Sequence, residues 1–299
     1  MKTRVLARLP QRKGRTAPIP GSWRVVSGWT LERGGMTDRG TLHGRVALVT
    51  GGSRGVGKGI AEALAGAGAT VYVTGRTVTQ SEFAEECIPI PCDHRDDAQV
   101  ESAFARVRSD QGRLDVLANS VWGGYEGMIE NGQFTWTRPF WQQPVFRWDA
   151  MFSAGVRAYF VASRLAAQLM VTARSGLIVN VSFWSAQKHI GNVPYGVSKA
   201  ATDKMTRDMA QELKEHAVSV VSLYPGLVRT EKVMEAAAYL DLSNSESPLF
   251  VGRAVVAIAA DPNVLAMSGS VLVAAACAEK YGFADVDGKR PRPLTLADV

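Results

Sequence analysis

Cysteine is scarce in this chain. There are three in 299 residues, Cys87, Cys92 and Cys277, with no C-x-x-C pair. An odd set of this kind argues against a disulfide framework and a thiolate zinc site, and it points to a reducing, cytoplasmic compartment. Histidine is equally sparse: His43, His94, His189 and His216 show no metal-ligand spacing, so no metal is expected. Long apolar runs are missing too. Charges or glycines interrupt every stretch before it could cross a bilayer, so no membrane span is expected. Pro/Ser linkers, internal repeats and low-complexity segments are absent from residues 36–299.

Acidic residues are outnumbered, 28 against 34 Lys and Arg, a formal net charge of +6. A surplus of this sign can mark a nucleic-acid partner. Its distribution says otherwise. Residues 1–35 hold eight basic residues against the single acid Glu32, a net +7, which leaves −1 for the rest of the chain. No nucleic-acid partner is therefore expected. The basic segment is rich in Arg, Pro and Gly and has neither a sustained apolar period nor the apolar core of a secretory signal. It has some likeness to an organellar transit peptide. Met36 opens "MTDRGTLHGRVALVT", which reads as a natural start. Residues 1–35 are therefore expected to be a disordered tail, mis-called or dispensable, ahead of one domain over residues 36–299.

What the remainder does contain is regular. Apolar, β-branched runs at Arg45–Thr50, Thr70–Thr74, Cys87–Asp93, Leu114–Asn119, Gly176–Ser182, Val218–Gly226 and Gly269–Ala275 alternate with helical spacing. A helix is expected from Trp148 to Thr172, another from Tyr195 to His216, and a mobile helical lid from Glu231 to Phe250. Near-continuous apolar strands separated by helices predict an α/β fold: a doubly wound parallel sheet of about seven strands, the Rossmann fold, with helices on both faces.

"TGGSRGVG", Thr50–Gly57, follows the first strand and opens the first helix, with Gly51, Gly55 and Gly57 spaced G-x-x-x-G-x-G. Glycines there let backbone approach a pyrophosphate, and the helix N-terminus offers free N–H groups to it. Ser53, Arg54 and Val56 complete this candidate dinucleotide loop. The second strand lacks the acid that would hold an NAD ribose; Arg76 stands there, and Arg54 is in the loop. Two guanidinium groups suit a 2′-phosphate, so the expected cofactor is NADP(H). Asp93 could accept a hydrogen bond from the adenine amino group.

These elements, with Asn119 ending the fourth strand, "YGVSK" (Tyr195–Lys199) and "PGLVRT" (Pro225–Thr230), resemble the short-chain dehydrogenase/reductase family from Arg45 to about Gly288. "NVPYGVSKAA", "SLYPGLVRTE" and "YGFADVDG" are also similar to a narrower group within it, dehydrogenase/reductase SDR family member 1 and its bacterial relatives. The resemblance implies an oxidoreductase acting on a small-molecule carbonyl or alcohol, assembled as a homo-dimer or homo-tetramer. It makes Tyr195 the proton donor or acceptor, with Lys199 four residues on to favour tyrosinate and to hold the nicotinamide ribose. Asn119, Pro225, Gly226, Val228 and Thr230 would border the cofactor.

Two departures from the family pattern stand out. Aligning "IVNVS" puts Phe183 where a catalytic serine is common, while counting back from Tyr195 selects Ser182. Ser185 shares the loop, so Ser182, Ser185 or neither polarises the substrate, with Ser182 the preferred candidate. Gly155 stands where the family usually has an Asn that supports a relay water near the Lys. Either water reaches Lys199 through the space left, or the relay is weaker. A degenerate protein that binds NADP(H) without turnover is the competing reading. Five tryptophans, Trp122, Trp136, Trp141, Trp148 and Trp184, with Tyr125, Phe134, Phe140, Phe146 and Phe183, surround the expected mouth in sequence. They read either as walls for a bulky apolar substrate or as packing for the insertion.

Overall fold

The buried residues Val46–Thr50 form β1, an interior strand of the main sheet. Its side chains alternate between two cores: Ala47 and Val49 enter one, Val46 and Leu48 the other. Strands that are apolar on both faces can be covered only by helices on both sides. The computed structural model describes residues 40–83, 86–124, 128–130, 133–235 and 237–299, and the expectations for the tail and for Tyr125 lie outside them.

The other strands are β2 (Thr70–Gly75), β3 (Cys87–Pro91), β4 (Val116–Asn119), the short antiparallel pair β5 (Ile129–Glu130) and β6 (Gln133–Phe134), β7 (Gly176–Val181), β8 (Val218–Tyr224) and β9 (Val271–Val273). The main sheet is parallel throughout, in the order β3-β2-β1-β4-β7-β8-β9. This is the expected doubly wound α/β fold. β3 carries Pro89 and Pro91, which cannot donate to a ladder, and it lies at the sheet's edge where proline is tolerated.

The helices are α1 (Gly55–Gly66), α2 (Asp97–Gln111), α3 (Val145–Met151), α4 (Ala158–Ala173), α5 (Val193–Leu213), α6 (Glu231–Glu235), α7 (Pro248–Ala260) and α8 (Ala274–Tyr281). One core packs α1, α7 and α8 on the sheet, and the other packs α2, α4 and α5. Among the described residues no helix is long and apolar enough to cross a membrane.

Three elements differ from the sequence expectation. The helix expected from Trp148 begins at Val145, and a π-helical segment, Phe152–Arg157, interrupts it. Among its described residues the expected lid region holds the five-residue α6 and a 3₁₀ turn, Ala237–Tyr239, before α7. The last strand is shorter, because Ala274 and Ala275 start α8 instead. Alanine favours helix, and a three-residue pairing with β8 leaves nothing to hold them in the ladder.

Candidate active site

The chain leaves β1 toward β2 and β3 on one side, then returns to build β4, β7, β8 and β9 on the other. At the reversal Thr50 lies opposite Asn119, at the carboxyl ends of β1 and β4. Ligands of doubly wound sheets bind in the crevice outside that point. The glycine loop lines it. Gly51 has φ +69°, and a Cβ there would fall 2.4 Å from the Val121 Cα. A Cβ on Gly57 would fall 2.3 Å from the Gly51 carbonyl oxygen, so the loop presents bare backbone. Arg54 precedes α1 without a side-chain cap, and Val56 lies in its first turn. The Gly55 N–H donates to both carboxylate oxygens of Glu231, at 3.3 and 3.1 Å. A carboxylate thus sits at a helix N-terminus suited to anions.

Ser53 holds this loop against β2. Its carbonyl accepts from the Ser81 hydroxyl at 2.7 Å, and its own Oγ lies 2.3 Å from where Gly75 would carry a Cβ. Arg54 next to Ser53, and Arg76 next to Gly75, are exposed at this edge. Asp93 sits past the end of β3, where the Arg95 guanidinium grips its carboxylate at 2.5–3.2 Å. Hydrogen bonds from Arg95, helped by the charge of Arg76, hold that carboxyl down to about 2.

Asn119 is fully buried, and its amide joins three elements: Nδ2 donates to Asn180 Oδ1 (2.9 Å) and Ser163 Oγ (3.0 Å), while Oδ1 accepts from Thr50 (3.4 Å). Pro225 and Gly226 follow β8, and the Gly226 N–H donates to the buried Glu246 carboxyl, which burial raises to about 7. Val228 bridges Glu246 through the backbone. Thr230 donates its N–H to the Val228 carbonyl (2.7 Å) and brings its Cγ2 within 3.3 Å of the Gly55 Cβ position. One cleft therefore gathers the glycine loop, the Thr230 turn and Glu231.

Tyr195 is set by the start of α5. Asn192 caps the helix, accepting from the Tyr195 N–H at 2.9 Å, and donates from its amide to the Trp136 carbonyl at 3.2 Å. That pins Trp136 against the tyrosine, ring centroids 5.3 Å apart. Trp122 meets Tyr195 edge-on at 5.7 Å, and Phe183 lies at 6.2 Å. Tyr195 is left 9% exposed. Lys199 is buried one turn on. Its Nζ donates to the Val181 carbonyl at 3.3 Å, lies 3.8 Å above the Trp122 ring centroid and is 5.8 Å from the Tyr195 ring centroid. Burial pulls its ammonium down to about 7, and the Asp203 carboxylate opposes that. Asp203 is itself raised by burial and accepts a hydrogen bond from the Tyr224 hydroxyl.

The serines lie on other sides of this arrangement. Ser182 donates to the backbone carbonyl of Lys199 at 3.4 Å, and Ser185 is buried beside α5. The residue that turns to the Tyr195 ring is Phe183. Gly155 lies within the π segment, yet no space is left above it. A Cβ there would meet Trp122 Cζ3 at 2.8 Å, so the indole fills the notch through which the first of the two alternatives would bring water. The aromatic residues divide. Trp122, Trp136 and Phe183 surround Tyr195, Trp184 is core beside Tyr224, and Phe134, Phe140, Trp141, Phe146 and Trp148 are exposed. Asn192, Asp203, Glu231 and Glu246 escaped the sequence reading. Only Asn192 carried a local signal, a capping residue two positions before Pro194.

The family model for "short chain dehydrogenase" matches residues 45–240. The chain belongs to this family. Its members are oxidoreductases that use a nicotinamide cofactor. The chain is 43% identical over 270 residues to dehydrogenase/reductase SDR family member 1 of Mus musculus, covering 83% of this chain and 85% of that protein. The Homo sapiens protein of the same name is 42% identical over 281 residues, 86% of this chain and 88% of the other. A solved structure of a putative gluconate dehydrogenase from Agrobacterium tumefaciens superposes with a TM-score of 0.66 at 25% identity, covering 78% of this chain and 94% of that one. The cleft fits such a dinucleotide: its glycines cannot carry side chains, and a carboxylate already takes one of its N–H groups.

Proposed function

We propose that residues 36–299 form one catalytic domain, an NADPH-dependent oxidoreductase that interconverts a bulky apolar carbonyl compound and its alcohol. The observation that carries this reading is the buried Tyr195–Lys199 pair, ringed by Trp122, Trp136 and Phe183. When bound, the nicotinamide supplies or takes up the hydride. Everything else falls to the chain. Gly51, Gly55, Val56 and Gly57 hold the pyrophosphate through backbone N–H groups and the start of α1. Ser53, Arg54 and Arg76 take the 2′-phosphate, Asp93 the adenine edge, and Asn119, Pro225, Gly226, Val228 and Thr230 the nicotinamide side.

Tyr195 gives its phenolic proton to the substrate oxygen, or removes one from the alcohol. A phenol of pKa about 10 is too weak an acid for this near neutrality, and a cationic Lys199 lowers it. Ser182 acts through the Lys199 carbonyl it bonds, steadying that turn of α5. The aromatic wall leaves few polar groups to bind a sugar acid, so aryl ketones and quinones fit better than polyols. Kinetics decide this: kcat/KM for a bulky aryl ketone or quinone is expected to exceed that for 5-ketogluconate at least about tenfold, and the reverse order would refute the apolar-substrate reading.

Glu231 must leave Gly55 for a phosphate to take its place. Glu231→Gln is expected to tighten NADPH about two- to fivefold, the scale of an exposed charge at a helix end, read by fluorescence titration. An unchanged or weaker Kd would mean that the carboxylate does not compete. Phe160 on α4 and Val197 on α5 are exposed, and they support a homo-oligomer joined through these helices. A competing reading, NADP(H) binding without turnover, draws on the small exposure of Tyr195.

A further inference from the structure

We propose that Trp122 is a positioning residue for Lys199: its indole face holds the ammonium group beside Tyr195, and its body excludes water from the notch at Gly155. The role in catalysis rests on the oxidoreductase reading above; the clamp itself does not. Three contacts fix the indole. Its six-membered ring lies over Gly155, where even a methyl group would stand 2.8 Å from Cζ3. Its edge meets Tyr195 at 5.7 Å and an interplanar angle of 87°. Its face carries the Lys199 Nζ at 3.8 Å. A tryptophan that only filled core would not need a cation over its face and a glycine behind it. The π segment Phe152–Arg157 puts Gly155 against the ring, so notch and wedge are complementary.

The consequence is electrostatic. Lys199 is buried among apolar groups, which disfavours its charged form. Two features oppose that loss: the carboxylate of Asp203 on α5, and the negative face of the indole. The other titratable groups around it are Tyr195 on α5, Tyr159 on α4, whose hydroxyl donates to the same Val181 carbonyl, and Tyr224 on β8, which donates to Asp203. Burial raises the Tyr224 hydroxyl, so that tyrosine adds no negative charge to the two features above. Trp122 therefore stabilises the ammonium in a pocket where water does not, and without it the ammonium loses its proton at lower pH.

The test uses the full chain labelled with [¹³Cε]lysine, the Lys199 signal being assigned by its loss in Lys199→Met. In the wild type, the Lys199 ε-methylene protons are expected upfield of every other lysine, through the indole ring current. In Trp122→Leu that displacement should vanish, and the Lys199 titration midpoint should fall by about one pH unit. Trp122→Phe keeps a π face and should lower the midpoint by no more than about half as much, which guards against a variant that merely fails to fold. With a turned-over substrate, Trp122→Leu should lose kcat about tenfold, with its basic limb moved to lower pH and KM for NADPH nearly unchanged. An undisplaced Lys199 signal in the wild type, or the same midpoint in folded Trp122→Leu, overturns the proposal. If the NMR result holds and no substrate turns over, the clamp stands and the oxidoreductase reading fails.

Discussion

Replacing Tyr195 by phenylalanine is expected to lower kcat about 10²–10⁴-fold, the range for losing a positioned general acid, with little change in the Kd for NADPH. The reasoning is geometric. Tyr195 is held by the Asn192 cap and by three aromatic neighbours that a phenylalanine ring would meet equally well, so the substitution removes the hydroxyl and little else. The dinucleotide loop is a separate part of the cleft, built from β1, α1 and the Thr230 turn, so binding should survive. Fluorescence titration and steady-state kinetics on the same preparation separate the two quantities. Loss of binding and turnover together would mean that the tyrosine supports the fold of the cleft instead of the proton transfer.

Arg54→Ala combined with Arg76→Ala is expected to weaken NADPH about 10- to 100-fold and leave NADH within about threefold, since each charge-assisted hydrogen bond contributes about 1.5–3 kcal/mol and part of that is screened at an exposed edge. Ser53 links the two arginines through its packing against Gly75, so the doubly substituted protein removes a shared binding edge. The preference should also weaken as salt rises, because both side chains are exposed. Equal losses for NADPH and NADH would show that the arginines do not read the 2′-phosphate, and the cofactor assignment would then turn to NAD.

Where a pattern repeats over short range, the sequence was legible. Buried strands such as Val46–Thr50 and Val218–Tyr224 are apolar on both faces and could be little else, and their alternation with helices leaves few topologies. The glycine loop was legible because its residues serve backbone geometry. Long-range contacts were not. The bond from Gly55 to Glu231 spans 176 positions, and no local signal announces it. Gly155 is an absence that the sequence can show, yet its meaning depends on Trp122, thirty-three positions earlier in the segment after β4. The serine question shows the same limit. Ser182 and Phe183 are adjacent, and only the path of the backbone out of β7 decides which faces Tyr195. The π segment was hidden as well, since its sequence, FSAGVR, carries ordinary helical spacing.

In the proposed reaction this chain moves a hydride between NADPH and a bulky carbonyl carbon, with Tyr195 handling the proton. The most direct measurement is isotopic. NADPH bearing deuterium at both C4 positions is incubated with the wild type and a panel of bulky aryl ketones, whose carbinol carbon keeps the label, and the products are examined by mass spectrometry. One deuterium from the cofactor is expected in the reduced product with the wild type, and essentially none with Tyr195→Phe although that protein is expected to bind NADPH still. Tight NADPH binding with no labelled product from any compound in the panel would contradict it, and would favour a protein that binds the cofactor without turning it over.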